Sequence, residues 1–176
     1  QQTVLRIFRN TKEHYLNTDR SRPSQMSSAY LNLLHPLIEV AAARYPDHIA
    51  IYEGTRKITY KELVLKAASL ASTLQNHGIR GSQRVAIHLD KSSEAVIAIL
   101  GILMSGACYV PIDSRNPPLR TAAILADCQI RTVIGTTARL SRVLRHLPSS
   151  AEIETLICLD DGIPQFTDIR QVPWET

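Results

Sequence analysis

Between Glu94 and Asp113 the chain runs eighteen residues, Ala95 to Ile112, without a charged side chain. A stretch of that length either spans a membrane, which takes ~20 predominantly apolar residues, or is buried inside protein. Gly101, Ser105, Gly106 and Pro111 interrupt it, and Cys108-Tyr109-Val110 favours extended chain, so it reads as a buried helix from Ser92 to Ser105 followed by a strand from Ala107 to Ile112, with no membrane span. Ala95 to Met104 is apolar on every side, the mark of a helix covered all round. Its cover is expected to come from self-association or a partner, in preference to the amino-terminal extension leaning over it, because left alone it would expose a patch beyond the few hundred Å² usual for monomers.

The flanking segments alternate in the same way. Leu34, Leu37, Ile38, Ala41, Ala42 and Tyr45 recur at helical spacing until Pro46 and Asp47. Ile49 to Glu53, a turn at Gly54-Thr55, and Lys57 to Thr59 form a hairpin signal. Thr59 with Glu62 is a capping box, and Leu63, Ala67, Leu70, Ala71 and Leu74 then share one helical face until Gly78 supplies a left-handed cap. Arg84 to Leu89 reads as a strand. Asn116, Pro117 and Pro118 open a helix to Asp127, because the first helical turn has no use for the N–H that proline lacks. Arg131 to Gly135 reads as a strand, Thr137 to Leu147 as a helix, and Ile153 to Leu159 as the last strand. Strands alternating with helices predict an α/β fold, a largely parallel sheet flanked by helices and joined by right-handed crossovers. The expected extents are a polar basic extension or linker at 1–33, the α/β domain at 34–160 and a polar tail at 161–176.

With 176 residues, 44% hydrophobic and 20% charged, the chain is neither disordered nor a disulfide scaffold, and a chain of this size buries about 70% of its unfolded surface. A net charge of +4 is too small to name a partner. Cys108, Cys128 and Cys158 are odd in number and lack a Cys-x-x-Cys pair, which points to reduced, buried thiols and a cytoplasmic protein. The chain opens on Gln1 rather than Met, so upstream sequence is expected, and no signal peptide is.

The residues offer little chemistry. The six histidines lack metal-ligand spacing, no Gly-x-Ser-x-Gly elbow occurs, and the seven glycines never form a phosphate-binding loop. Catalytic, cofactor and metal residues are therefore expected to be none. Lys91-Ser92-Ser93 lies before a helix, where an anion could be held, but Ser92 as a plain N-cap is the better reading. Arg139, Arg142 and Arg145 share a helix with His146, and they read as a solvated face rather than a nucleic-acid stripe, since no aromatic residue interleaves them.

Two strings are more specific. Ile58-Thr59-Tyr60-Lys61-Glu62-Leu63 resembles the first core motif of the AMP-forming adenylate ligases, the superfamily of acyl-CoA synthetases and nonribosomal-peptide adenylation domains, and Leu103 to Asp113 resembles the second. Ala42 to Ala50, with its Tyr-Pro-Asp exit, and Asn116 to Asp127 resemble the helices beside those motifs, so that the likeness covers roughly 34–160. Tyr109-Val110-Pro111-Ile112-Asp113 leans toward enzymes that activate amino acids for carrier proteins. Ser105 and Cys108 depart from the usual Ala and Ala or Gly, and Leu125-Ala126-Asp127-Cys128 is equally at home among acyl ligases.

The resemblance implies the first part of the large N-terminal lobe of an enzyme that joins a carboxylate to ATP with Mg²⁺ and passes the acyl group to a thiol on CoA or a carrier protein. The phosphate loop and the lysine of that reaction have no counterpart here. Gly135-Thr136-Thr137-Ala138-Arg139 has one glycine, no lysine and the place of an ordinary strand-to-helix turn. Three readings remain open: an amino-terminal piece of an adenylating enzyme, inactive alone; a non-catalytic remnant that binds a protein; and an unrelated α/β domain that binds a nucleotide or nucleic acid.

Overall fold

The computed structural model describes residues 33–160 and 169–173. Nearly all of the expected extension and most of the expected tail lie outside the described residues. The chain divides into two compact units, 1–65 and 66–176.

The described part of the first unit holds helix α1 (Leu34–Arg44), strands β1 (Ile49–Glu53) and β2 (Arg56–Thr59), and the start of helix α2 (Tyr60–Asn76). β1 and β2 pair antiparallel around a turn whose Gly54 has a φ of +58°. That conformation favours a residue without Cβ. Of the six apolar positions read on α1 only Ala42 is buried, and Leu34 and Leu37 are half exposed. The capping box forms as expected. The Thr59 N–H donates to Glu62 Oε2 at 2.8 Å, and the Glu62 N–H donates to Thr59 Oγ1 at 3.2 Å. α2 buries the whole predicted stripe, Leu63, Ala67, Leu70, Ala71 and Leu74, and ends at Gly78 with a φ of +82°.

The second unit continues with β3 (Arg84–His88), α3 (Ser93–Ser105), β4 (Cys108–Pro111), α4 (Pro118–Asp127), β5 (Thr132–Gly135), α5 (Thr137–Leu144), β6 (Thr155–Cys158) and β7 (Arg170–Pro173). The five strands form one sheet in the order β4-β3-β5-β6-β7, and every pairing is parallel. Ile153 to Leu159 is therefore not the last strand. β7, inside the stretch read as a tail, was missed because Arg170-Gln171-Val172-Pro173 is only four residues long and shows a single strongly apolar side chain.

Successive side chains of a strand face opposite sides of the sheet, and both sides here are packed. Val85, Ile87, Ile134 and Ile157 meet Leu70, Leu74, Ala98 and Ile102 from α2 and α3. Ala86, Val133 and Leu156 meet Leu125, Leu140 and Val143 from α4 and α5. β5 and β6 are buried along their whole length, which is why they read as short continuous apolar runs.

One expectation fails here. α3 does not wait for protein beyond the chain: Ile97, Ala98, Leu100, Gly101 and Ile102 are buried, and Val96 alone among its apolar residues is exposed, at 38%. The reason lies at Gly101. With no side chain there, α2 comes so close that a Cβ would stand 2.9 Å from the Ala67 carbonyl oxygen. Cys108 is a second correction. It is an exposed thiol rather than a buried one because β4 is an edge strand. No helix among the described residues is long and apolar enough to cross a membrane.

Candidate functional site

In an open parallel sheet, ligands sit beyond the carboxyl ends of the strands, where neighbouring connections leave in opposite directions. The chain leaves β3 toward β4 on one side and leaves β5 toward β6 on the other, so that point falls between β3 and β5. The segments meeting there are Leu89–Ser92, Ile112–Arg115, Thr136–Thr137 and Leu159–Asp160.

Arg139 on α5 reaches two of these connections. Its guanidinium donates to Asp90 Oδ2 at 2.5 Å, in the segment after β3, and to the Ser114 carbonyl at 2.9 Å, in the segment after β4. The Asp90 carboxyl is held below its ordinary value by a hydrogen bond from the Ser114 side chain and by the Arg139 charge. Arg139 is thus a cross-link between segments, and the reading of it as one of three solvated arginines is corrected. Arg142, Arg145 and His146 are exposed, and the helix ends at Leu144.

His88, the last residue of β3, is only 4% exposed. Burial pushes its imidazole below the usual value, the Arg139 charge adds to that, and a hydrogen bond to the backbone of Ile112 and the Asp90 charge partly offset it. Its Nδ1 has no hydrogen-bond partner.

Asp160 serves the same edge from the far side. Thr136 makes no side-chain cap at the start of α5; instead Asp160 Oδ1 accepts from the Thr137 N–H at 2.8 Å and from Thr137 Oγ1 at 2.7 Å. Burial acts to raise the Asp160 carboxyl, but these bonds win and hold it low. Cys158 is raised by burial. Asp113 accepts from the Arg115 backbone at 2.9 Å and from its guanidinium at 2.8 Å, and those bonds hold its carboxyl far below the ordinary range.

Ser92 plays the capping role read for it, accepting from the Ala95 N–H at 3.3 Å beside an exposed Lys91. Among the described residues no three His, Cys, Asp or Glu side chains converge to hold a metal. The anion position at the head of α5 is filled by the Asp160 carboxylate. Among the described residues the carboxyl edge is a laced frame of internal pairs.

An open depression of about 840 Å³ lies at the opposite, amino end of the sheet, among Arg84, Arg131, Glu152, Glu154 and Arg170. Arg131 there bridges Glu152 at 2.7 Å and Glu154 at 3.1 Å, and Arg84 donates to the Cys128 carbonyl at 2.8 Å. Its size is no argument for a site, since Arg131 is already paired with both glutamates and strand geometry favours the other end.

Residues 38–173 match the family described as AMP-binding enzyme. The chain belongs to the AMP-binding enzyme family. It is 38% identical over 135 residues to the N-(5-amino-5-carboxypentanoyl)-L-cysteinyl-D-valine synthase of Penicillium rubens, covering 77% of this chain and 3% of that protein. It is 37% identical over 158 residues to the AMB antimetabolite synthetase AmbB of Pseudomonas aeruginosa, covering 90% and 12%. Coronafacic acid ligase from Pectobacterium brasiliense shares the fold, with a TM-score of 0.72 at 18% identity over 80% of this chain and 28% of that one. As a member of the AMP-binding enzyme family, the chain therefore spans a small part of its relatives. Its two motifs lie on β2–α2 and on α3–β4, where they make a helix cap and a strand end.

Proposed function

We propose that this chain is an amino-terminal part of an AMP-forming ligase that activates a carboxylic acid as its acyl adenylate for transfer to a thiol, and that these 176 residues do not adenylate by themselves. The observation that carries the reading is the match over 38–173 to AMP-binding enzymes in a region where Asp90, Arg139 and Asp160 are engaged in holding the scaffold. An amino acid as substrate and a carrier protein as acceptor are favoured by relatives named as peptide synthases; an aryl or fatty acid with CoA is the competing pair. ATP with Mg²⁺ belongs to the complete enzyme in this proposal. The described residues do not fit that group alone, because the three carboxylates at the carboxyl edge are each engaged by a neighbour and the head of α5 is filled. The rest of the enzyme is then the partner, and a cytoplasmic location agrees with three unpaired thiols.

Carboxylate-dependent exchange of pyrophosphate into ATP, run across amino, aryl and fatty acids, tests the reading. The chain alone is expected to give none, and exchange is expected when the remaining polypeptide is supplied. Exchange by the chain alone would overturn the claim of inactivity. Failure to restore exchange with the remainder would favour a protein-binding role without catalysis.

A further inference from the structure

His88 with Asp90, Ser114 and Arg139 come from three places in the sequence and meet at the carboxyl edge. The guanidinium ties α5 to the segments after β3 and β4 through the two short bonds described above, and its side chain is 27% exposed. Under this link lies an imidazole that is almost wholly buried. The charged groups acting on that ring are Arg139 from α5 and Asp90 from the segment after β3. The segment after β4 offers it the Ile112 backbone, and β5 presents Gly135, which has no side chain. One ring nitrogen is bonded to Ile112 and the other, Nδ1, is bare.

We propose that Arg139 is a positioning residue that clamps the segments after β3 and β4 to α5, and that proton uptake at His88 Nδ1 releases this clamp. The neutral ring fits beside a guanidinium. A proton on Nδ1 creates a donor without an acceptor and a second positive charge against Arg139. A buried polar donor left unsatisfied is costly, so the segments separate and water reaches the ring. Because the clamped state holds His88 below its ordinary value, it resists the proton that the released state accepts. The clamp is therefore intact at pH 7 and weakens as pH falls below about 6.5, by up to about tenfold in the ratio of released to clamped molecules for each pH unit. The proposal does not depend on the ligase reading.

Hydrogen exchange of the whole chain between pH 7.5 and 5, corrected for intrinsic rates, reads the clamp at the Ala95, Val96, Asn116 and Leu140 amides, with Val85 and Ile134 reporting the sheet. The edge amides should lose about tenfold protection while the sheet amides hold. His88→Gln should abolish that pH dependence, and Arg139→Lys, which keeps the charge but loses the fork that reaches two acceptors, should leave the edge open at every pH. Should either variant fail to fold, the wild-type ring answers by NMR: the His88 nitrogen shifts and the Lys91–Ala95 amide shifts must share one midpoint below 6.5. Edge and sheet losing protection together, an unchanged slope in His88→Gln, or a ring that never titrates with the edge would each overturn the proposal.

Discussion

Replacing Gly101 with alanine sets two effects of known size against each other. In an exposed helix interior the change is favourable by about 0.8–1.0 kcal/mol, since alanine is the better helix former. At this position the new Cβ would stand 2.8 Å from Leu70 Cδ2, 2.9 Å from Leu70 Cβ and 2.9 Å from the Ala67 carbonyl oxygen. The first of these atoms can swing aside. The other two are fixed to the backbone of α2, so the helices must move apart, and overpacking of this kind costs about 1–3 kcal/mol. Leu70, Leu74 and Ile102 all belong to the core that would open. The expected net effect of Gly101→Ala is a loss of up to about 2 kcal/mol, read from urea unfolding by circular dichroism as a lower midpoint with an unchanged slope. In a Leu70→Ala background the same substitution should cost less, because one of the three contacts is gone. A gain of about 1 kcal/mol in the wild-type background would show that propensity alone acts there and would refute the close approach of α2 and α3.

Thr59→Ala removes the hydroxyl that accepts from the Glu62 N–H and should cost about 1 kcal/mol in chemical unfolding, and most of that loss should remain in a Glu62→Ala background, because the donor is the backbone N–H of that residue. Asp160→Ala should cost a similar amount by uncapping α5 from 23 residues away, whereas Asp160→Asn, which keeps one acceptor oxygen, should cost less. The Asp160 carboxyl is depressed from 3.8 in the folded chain, so its contribution is present above that pH and fades as pH falls through the lower folded value. Acid unfolding of Asp160→Asn against wild type checks the sign: the two curves should converge as pH falls below 3.8 and through the lower folded value. Cys108, exposed on the edge strand, should react with a thiol reagent in the native chain well before Cys158, and equal rates would contradict the placement of β4.

What a few neighbouring residues decide, the amino-acid sequence decided here. Thr59 and Glu62 are three apart, Gly78 ends the helix that they begin, and Pro118 opens the helix it occupies. Each acts within a turn, where the chain itself brings the groups together. The alternation of apolar runs with helical stripes likewise determined a parallel sheet, because helices between strands leave no other direct way to connect them. The two motif strings carried the family through the same short spans.

Other features needed the strands in their spatial order. Nothing local says that β4 lies outside β3 while β5 lies inside it, or that four residues after Asp168 complete the sheet. Arg139 looked like its neighbours Arg142 and Arg145 because its partners are 49 and 25 residues away. The same distance in sequence concealed Asp160 as the cap of α5. α3 looked uncovered because its cover at Gly101 comes from Ala67 and Leu70, more than thirty residues earlier, and only the packed fold brings that helix within reach. Pairings between segments distant in sequence depend on where the strands place them, and the sheet order that sets those places is a property of the whole second unit.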